Sequence, residues 1–223
     1  MWERLESLWQ RALDVLAPRE CAGCRQRVPG QWCPQCWQQL EPHVAALGDL
    51  TVCALGPYDG PLGATVRRLK YHDRPDLAGP LGDTLGRLHA SVLSGQALLV
   101  PIPLHRARLA QRRYNQAALL ARAIARRTGL DHSPRALERL TSAARQAGSS
   151  ATERSRNVQQ AFHARERRLA GATVVLVDDV VTTGATVRAA AGALRAAGAS
   201  VAVVLCVCRT RTRQPRAEAQ GPR

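Results

Sequence analysis

From residue 51 onward, short apolar runs alternate with longer amphipathic stretches. Apolar runs bounded by Gly, Pro, Asn or Asp predict strands, whereas apolar residues every three or four positions predict helices. Strands that alternate with helices favour a parallel sheet with helices packed on its faces, so the predicted fold class is α/β. The predicted strands are 52–55, 98–102, 161–163, 174–178 and 200–208, and the predicted helices are 62–71, 77–93, 115–128 and 185–197.

Residues 1–18 carry a helical pattern of their own, in which charged residues interrupt the apolar face. We expect an amphipathic helix that docks on its own protein, with binding to a membrane surface as the alternative. The charges argue against a signal peptide and a membrane span, and we therefore expect a cytoplasmic protein. The apolar positions are Trp2, Leu5, Leu8, Trp9, Ala12, Leu13 and Leu16, and the charged ones are Glu3, Arg4, Glu6, Arg11 and Asp14.

Four of the seven cysteines form two Cys-x-x-Cys pairs, Cys21 with Cys24 and Cys33 with Cys36. Each pair can direct two thiolates to one tetrahedral ion, and a closed four-cysteine site is typical of structural zinc. Two disulfides are the alternative. We see no secretion signal and expect an intracellular protein, and thiols stay reduced inside cells. We predict a zinc-binding module over residues 19–48. Cys53, Cys206 and Cys208 lie in apolar runs and are predicted core residues.

The chain of 223 residues has 32 basic and 17 acidic residues, a formal net charge of +15. This excess favours polyanions such as nucleic acid, or phosphorylated metabolites, although an Arg-rich composition alone could also produce it. The basic segment 209–223 is predicted to be a disordered tail. The small, polar stretch 142–155 has no helical or strand periodicity, and we interpret it as an active-site lid rather than a linker.

The segment 173–186 predicts a strand, a loop and the start of a helix. Asp178 and Asp179 end the strand, where ligands bind in open α/β sheets, and Gly184 allows the backbone to approach a ligand closely. The hydroxyls of Thr182, Thr183 and Thr186 accompany the free amides of a helix N-terminus, which suit a phosphate. These groups fit a sugar phosphate; an Asp-Asp turn that caps a helix and binds nothing is the alternative. The chain lacks the glycine motifs of P-loop and dinucleotide-binding proteins.

This segment resembles the phosphoribosyl-pyrophosphate motif of type I phosphoribosyltransferases. Other sequence motifs of the chain resemble those of the ComF/GntX family of competence-associated proteins. The chain departs from the family pattern at Arg113-Tyr114, where Gly-Phe is usual. The resemblance implies a phosphoribosyltransferase-like parallel sheet with flanking helices over residues 49–208, plus the N-terminal zinc module. The marks are the two Cys-x-x-Cys pairs, Leu69-Lys70-Tyr71 and segments 100–108, 112–116, 146–154, 157–158 and 161–162.

The resemblance also implies a ligand, 5-phosphoribosyl-1-pyrophosphate with Mg²⁺, and the residues that bind it. Arg106 or Arg108 would hold the pyrophosphate from the loop 103–108, unless they form only a surface cluster, and Lys70 and Arg112 are further candidates. Gln146 and Arg154 would contact the ligand from a mobile catalytic loop over 139–157, and Asp178 and Asp179 would stabilise positive charge on the reacting ribose. The implied ligand-binding residues of the main motif are Asp178, Asp179, Thr182, Thr183, Gly184, Ala185 and Thr186.

Three functions follow from the resemblance. One is a phosphoribosyltransferase with an unknown acceptor, linked to DNA uptake in natural competence. Another is an accessory protein that handles single-stranded DNA, with a competence helicase as a possible partner. The third is a regulator that senses phosphoribosyl pyrophosphate without turnover. The sequence favours ligand binding over any particular consequence of it.

Overall fold

A computed structural model of the chain describes residues 20–28, 30–93, 95–140, 161–165 and 169–210. The predicted N-terminal helix 1–18, the stretch 142–155 and nearly all of the tail 209–223 lie outside these ranges. The strands are β1 His43–Leu47, β2 Leu50–Gly56, β3 Leu98–Pro101, β4 Leu137–Arg139, β5 Phe162–Ala164, β6 Thr173–Val181 and β7 Ser200–Arg209. The α-helices are α1 Pro34–Gln38, α2 Gly60–Tyr71, α3 Ala78–Leu88, α4 Arg106–Arg112, α5 Gln116–Thr128 and α6 Ala185–Ala196, and Pro75–Leu77 and Ala90–Val92 are 3₁₀ turns.

The main sheet has the order β1-β2-β7-β6-β3. Strands β2, β7, β6 and β3 are parallel, and β1 pairs antiparallel with β2 at one edge. The carboxyl ends of the parallel strands therefore share one edge of the sheet, the edge at which α/β proteins bind ligands. Strands β4 and β5 form a separate antiparallel pair. The predicted α/β class with a mostly parallel sheet is confirmed.

Helices cover both faces of this sheet, because successive side chains of a buried strand point to opposite sides. One hydrophobic cluster joins the sheet to α6, and the other joins it to α2, α3 and α5. Cys53, Cys206 and Cys208 are fully buried, which confirms them as core residues. Burial raises the pKa of each of these thiols, to about 12 at Cys208, so they are inert at neutral pH.

Three parts of the fold differ from the predicted elements. The predicted helix 77–93 is interrupted at His89, whose buried ring lies 3.1 Å from the carbonyl oxygen of Ala54. Helix α4 forms where we expected a loop, since His105 caps its N-terminus by accepting a hydrogen bond from the Ala107 N–H. Strand β1 was not predicted; it precedes residue 49 but joins the main sheet. Within the described ranges, no helix is long and apolar enough to cross a membrane.

Candidate functional site

Strand β6 places two adjacent carboxylates near the carboxyl edge of the sheet. They do not end the strand as predicted, because Val180 and Val181 continue the pairing with β7. The backbone N–H of Asp179 donates a hydrogen bond to Oδ1 of Asp178 at 2.8 Å. The Asp179 carboxylate pairs with Lys70 of α2, with 2.9 Å between Oδ1 and Nζ. Both side chains are largely buried, at 10% and 14% exposure. A buried charge is costly unless it is paired, and Lys70 supplies the opposite charge beside Asp179.

Asp178 has a different environment from its neighbour. Burial, and next the negative charge of Asp179, raise the pKa of the Asp178 carboxyl to about 7. The carboxyl therefore changes its charge near neutral pH. A bound cation, or a ligand with hydroxyl donors, would favour the ionised form.

A loop and a helix N-terminus follow directly after β6. Gly184 adopts a φ of +76° and caps α6, and a Cβ atom added there would overlap the side chain of Leu47. Thr183 Oγ1 accepts a long hydrogen bond of 3.4 Å from the Ala185 N–H, and the side chains of Thr182 and Thr183 are exposed. Helix α6 has 12 residues, and the amides of its first turn, including that of Thr186, carry a partial positive charge. The carboxylates and this helix N-terminus are thus adjacent along one strand and its following loop.

The two predicted arginines lie on α4 rather than in a loop. Arg106 is 76% exposed, and its Nη2 lies 3.6 Å from Oε1 of Glu138 on β4. Glu138 also pairs with Arg165 after β5. Arg108 is exposed. A role for Arg106 or Arg108 in binding pyrophosphate stays a prediction, as do the roles of Gln146 and Arg154, which lie outside the described residues.

The fold draws attention to two residues, Tyr114 and Gln116, to which the sequence analysis assigned no role of their own. Tyr114 donates a hydrogen bond from its hydroxyl to the carbonyl of Leu69 at 2.7 Å, which ties the turn after α4 to α2. Gln116 is fully buried, and its amide nitrogen and oxygen have no hydrogen-bond partner among the described residues. Buried amides without partners are rare, so Gln116 marks a polar position in the core at the first residue of α5. The sequence feature that could have pointed to Gln116 is its position in segment 112–116, one of the motifs that resemble the ComF/GntX family.

The four N-terminal cysteines converge on one point. Their Sγ atoms lie within 4.8 Å of one another, and Cys24 is the exposed member. A tetrahedral zinc ion with Zn–S bonds of about 2.3 Å would place sulfur atoms roughly 3.8 Å apart, so the cluster could hold a metal such as zinc. Burial opposes ionisation of Cys21, but N–H groups of Cys33, Cys24 and Gly23 lower its pKa to about 7. Such N–H donors stabilise the thiolate that a metal needs.

Helix α2 contacts this cysteine cluster and the carboxylate pair. Near the middle of the helix, Thr65 Oγ1 donates to the carbonyl of Ala22 at 2.5 Å. Arg68 Nη2 donates to the carbonyls of Ala22 and Gly23 at 2.5 and 2.6 Å. Two residues later, Lys70 pairs with Asp179. One rigid helix therefore connects the first cysteine knuckle to the edge of the sheet.

Comparisons with known proteins identify the type of domain and its relatives. A profile of the phosphoribosyl transferase domain matches residues 115–220. The DNA utilization protein YhgH of Escherichia coli K12 is 34% identical over 85% of this chain and 78% of its own length. Competence protein F of Haemophilus influenzae is 26% identical, over 80% and 85% of the two chains. Competence protein ComFC of Bacillus subtilis is 29% identical, over 86% and 85%.

Among solved structures, the glutamine phosphoribosylpyrophosphate amidotransferase of B. subtilis, complexed with ADP and GMP, is similar with a TM-score of 0.46 and 23% identity. The match covers 63% of this chain but only 30% of that larger one. The sequence relationship to YhgH extends over most of both chains, and the phosphoribosyl transferase profile includes the carboxylate pair and the loop after it. The chain belongs to the ComF/GntX family of proteins with a phosphoribosyltransferase-type domain.

Proposed function

We propose that the protein binds 5-phosphoribosyl-1-pyrophosphate at the carboxyl end of β6 and transfers its phosphoribosyl group to an acceptor. The observation that carries this proposal is the position of Asp178 and Asp179 near the carboxyl end of β6, which is followed after Val181 by a loop and helix N-terminus rich in hydroxyls. A phosphate accepts hydrogen bonds from amides and hydroxyls, whereas ribose hydroxyls donate to carboxylates. The two halves of the site match the two ends of a ribose phosphate.

The roles of the residues follow from this match. The 5-phosphate would contact residues 182–186, which are Thr182, Thr183, Gly184, Ala185 and Thr186. Asp178 and Asp179 would accept hydrogen bonds from the ribose hydroxyls and stabilise the positive charge that develops on the ring as pyrophosphate leaves. Mg²⁺ bound with the ligand would offset the charge of the pyrophosphate. Gln146 and Arg154 would close over the ribose and exclude water.

Calorimetric titration with phosphoribosyl pyrophosphate and Mg²⁺ tests the proposal. We expect saturable binding to the wild-type protein and at least a tenfold loss of affinity in Asp178→Asn and in Thr183→Val, about 1.4 kcal/mol each. Thr128→Val is a matched control, because in the described part of the chain its hydroxyl bonds only to Ile124 and Leu130, within and just after α5. No binding by wild-type protein that is folded and loaded with zinc would overturn the proposal. Failure of the two variants to differ from the control would do the same.

A second candidate function is the handling of single-stranded DNA. The formal charge of +15 favours a polyanion, and the similar proteins of E. coli and H. influenzae are named for DNA utilization and competence. In this proposal the zinc module 19–48 and the basic segment 209–223 contact the strand beside the domain 49–208, in the cytoplasm, with a helicase as partner. Removal of residues 210–223 should weaken DNA binding and flatten its salt dependence, while ligand binding stays intact.

A third candidate function is binding of the same ligand without catalysis. A regulator that senses phosphoribosyl pyrophosphate would bind it with the same residues and would release no pyrophosphate with any acceptor. Measurement of pyrophosphate release in the presence of a panel of nitrogenous acceptors separates this candidate from the transferase.

A further inference from the structure

A cavity of about 520 Å³ lies where the zinc module 19–48 meets helices α3 and α5. Its described lining includes Glu20 and Gln31 of the zinc module, Gly79 and Asp83 of α3, and Arg126 of α5. None of the described lining residues belongs to the carboxylate pair or to the loop that follows β6. The cavity is therefore separate from the proposed ligand site.

Helix α3 forms the middle of this cavity. Gly79 and Asp83 are one turn apart and lie on the same face of the helix. To one side of that face, Trp32 Nε1 donates to Thr84 Oγ1 at 3.1 Å, which holds the zinc module against α3. To the other side, α5 lies so close that a Cβ atom added to Gly82 would be 2.5 Å from one of its side chains. The cavity is thus a groove along α3, flanked by the zinc module and α5.

The groove has an apolar bottom and a charged rim. Leu77, Pro80 and Ala123 supply apolar surface to the lining, and Leu77 and Ala123 are at most 4% exposed. At the rim, the Arg74 guanidinium donates two hydrogen bonds to the Asp76 carboxylate, at 2.9 and 2.8 Å. An apolar groove between charged edges suits the apolar face of an amphipathic helix.

The α5 side of the groove carries positive charge that is poorly neutralised. Arg122 and Arg126 are one turn apart and exposed, and neither has a carboxylate partner among the described residues. Arg127 pairs with Asp83, but at 3.6 Å and with 48% of the arginine side chain exposed, so this pair contributes little. Helix α5 itself contains no acidic residue. This side of the groove therefore favours a helix with acidic residues next to its apolar face.

Residues 1–18 have that pattern. At 3.6 residues per turn, the charged positions of the predicted helix separate by sign on the two flanks of its apolar face. Glu3, Glu6 and Asp14 lie on one flank, and Arg4 and Arg11 lie on the other.

The same segment joins the described chain at the edge of the groove. Glu20 is the first residue that the structure describes, and it lines the cavity. Leu16 precedes it by four residues, which span at most about 14 Å, so the last turns of the predicted helix must lie close to the groove. Trp9, Leu13 and Leu16 are spaced by four and three residues and share one helical face.

We propose that residues 1–18 dock as a helix in this groove. Trp9, Leu13 and Leu16 contact its apolar bottom, and the acidic flank of the helix lies along the arginines of α5. The docked helix links the zinc module to α3 and α5 and covers the positive charge of α5. The proposal is independent of the binding of phosphoribosyl pyrophosphate.

Hydrogen exchange of the full chain, measured by mass spectrometry, tests the proposal. Gly79→Leu places a side chain in the groove, and its Cβ meets no atom within 4 Å. Gly192→Leu is the matched control, because it makes the same change on exposed α6, also in open space. We expect the amides of residues 4–16 to exchange at least tenfold faster in Gly79→Leu than in the wild type and the control. Equal exchange in the two variants would overturn the proposal, as would a wild-type segment that exchanges like an unstructured chain.

A second measurement identifies the occupant of the groove and remains valid if Gly79→Leu fails to fold. A photoreactive benzophenone side chain at position 79 of the full chain is irradiated, and the linked peptides are mapped. A cross-link to residues 1–18 of the same chain is the expected result. A cross-link to a second copy or to another segment, or no cross-link, would refute intramolecular docking.

Two substitutions in the segment then test which face enters the groove. Leu13→Gln changes the apolar face and should lower the cross-linking yield at least tenfold, whereas Arg11→Gln changes a charged flank and should leave the yield near the wild-type value. Equal yields from these two variants would contradict docking through the apolar face.

Discussion

The ammonium group of Lys70 lies 2.9 Å from the carboxylate of Asp179, and neither side chain is more than 14% exposed. The pair joins α2 to the end of β6 and supplies the positive charge that a buried carboxylate requires. It also keeps the site assembled before any ligand is present. A ligand that binds the Asp179 carboxylate must displace Lys70 from it, or share the carboxylate with Lys70.

Removal of Lys70 should therefore lower the free energy of unfolding more than removal of a neighbouring cation. Lys70→Met leaves Asp179 buried without a partner, and we expect the free energy of unfolding to fall by about 3–5 kcal/mol. Arg67→Met, one turn earlier on the exposed face of α2, should change it by less than about 1 kcal/mol. Urea denaturation measures both values. Lys70→Met combined with Asp179→Leu should recover much of the loss, and a double variant as unstable as Lys70→Met alone would contradict this account.

The carboxyl of Asp178 should make stability depend on pH. Burial, and next the charge of Asp179, raise its pKa from 3.8 to about 7 in the folded protein. Between these values the folded protein binds a proton that the unfolded chain releases, so the free energy of unfolding should fall as pH rises from about 4 to about 7. Urea denaturation across this range should show a shallower decrease for Asp178→Asn than for the wild type. Parallel pH profiles would contradict the assignment.

Ligand affinity should have the opposite pH dependence. Ribose hydroxyls and cations bind the ionised carboxylate, so the affinity for phosphoribosyl pyrophosphate with Mg²⁺ should rise as pH increases through about 7. Calorimetric titrations at several pH values measure this trend. Asp178→Asn should bind weakly at every pH, and a wild-type affinity independent of pH would contradict the role of Asp178 in the ligand site.

The contacts of α2 with the cysteine cluster predict an effect on metal release. Arg68→Gln removes the donors to the carbonyls of Ala22 and Gly23, which should destabilise the knuckle by about 1–3 kcal/mol. Zinc should then pass to a chromogenic chelator faster than from the wild-type protein. Arg67→Gln, which keeps these bonds, is the matched control. Equal rates for the two variants would show that the carbonyl contacts do not support the metal site.

Two glycines at and within α6 should respond in opposite directions to the same substitution. Gly184→Ala forces a Cβ into the Leu47 side chain and into a φ of +76°, so it should lower thermal stability. Gly192 lies in the helix interior with no neighbour within 4 Å of the added atom, and Gly192→Ala should raise stability by about 0.5–1 kcal/mol. Differential scanning calorimetry of both variants checks the pair. If the substitutions at 184 and 192 had equal effects, the close approach of Leu47 would not constrain the loop.

The sequence predicted those parts of the site that are continuous along the chain. Strand β6, its carboxylates, Gly184 and the start of α6 follow one another without interruption, so local pattern and motif were sufficient. The partner of Asp179 could not be assigned in the same way, because Lys70 meets it only through the packing of α2 on the sheet. Helix α4 was not predicted, because its N-terminus depends on a cap from His105. Strand β1 was not predicted, because residues 43–47 form a strand through their pairing with β2.

Strand β7 follows β2 and β6 in the chain but lies between them in the main sheet. During synthesis, residues 50–56 and 173–181 must remain without their shared neighbour until residues 200–209 leave the ribosome. Such delayed, non-local pairing is slow and exposes strand edges to other chains. The surroundings of the carboxylate pair near the end of β6 are consequently completed only after residues 200–209 have been synthesised, and nascent chains that stall before residue 200 should depend on chaperones.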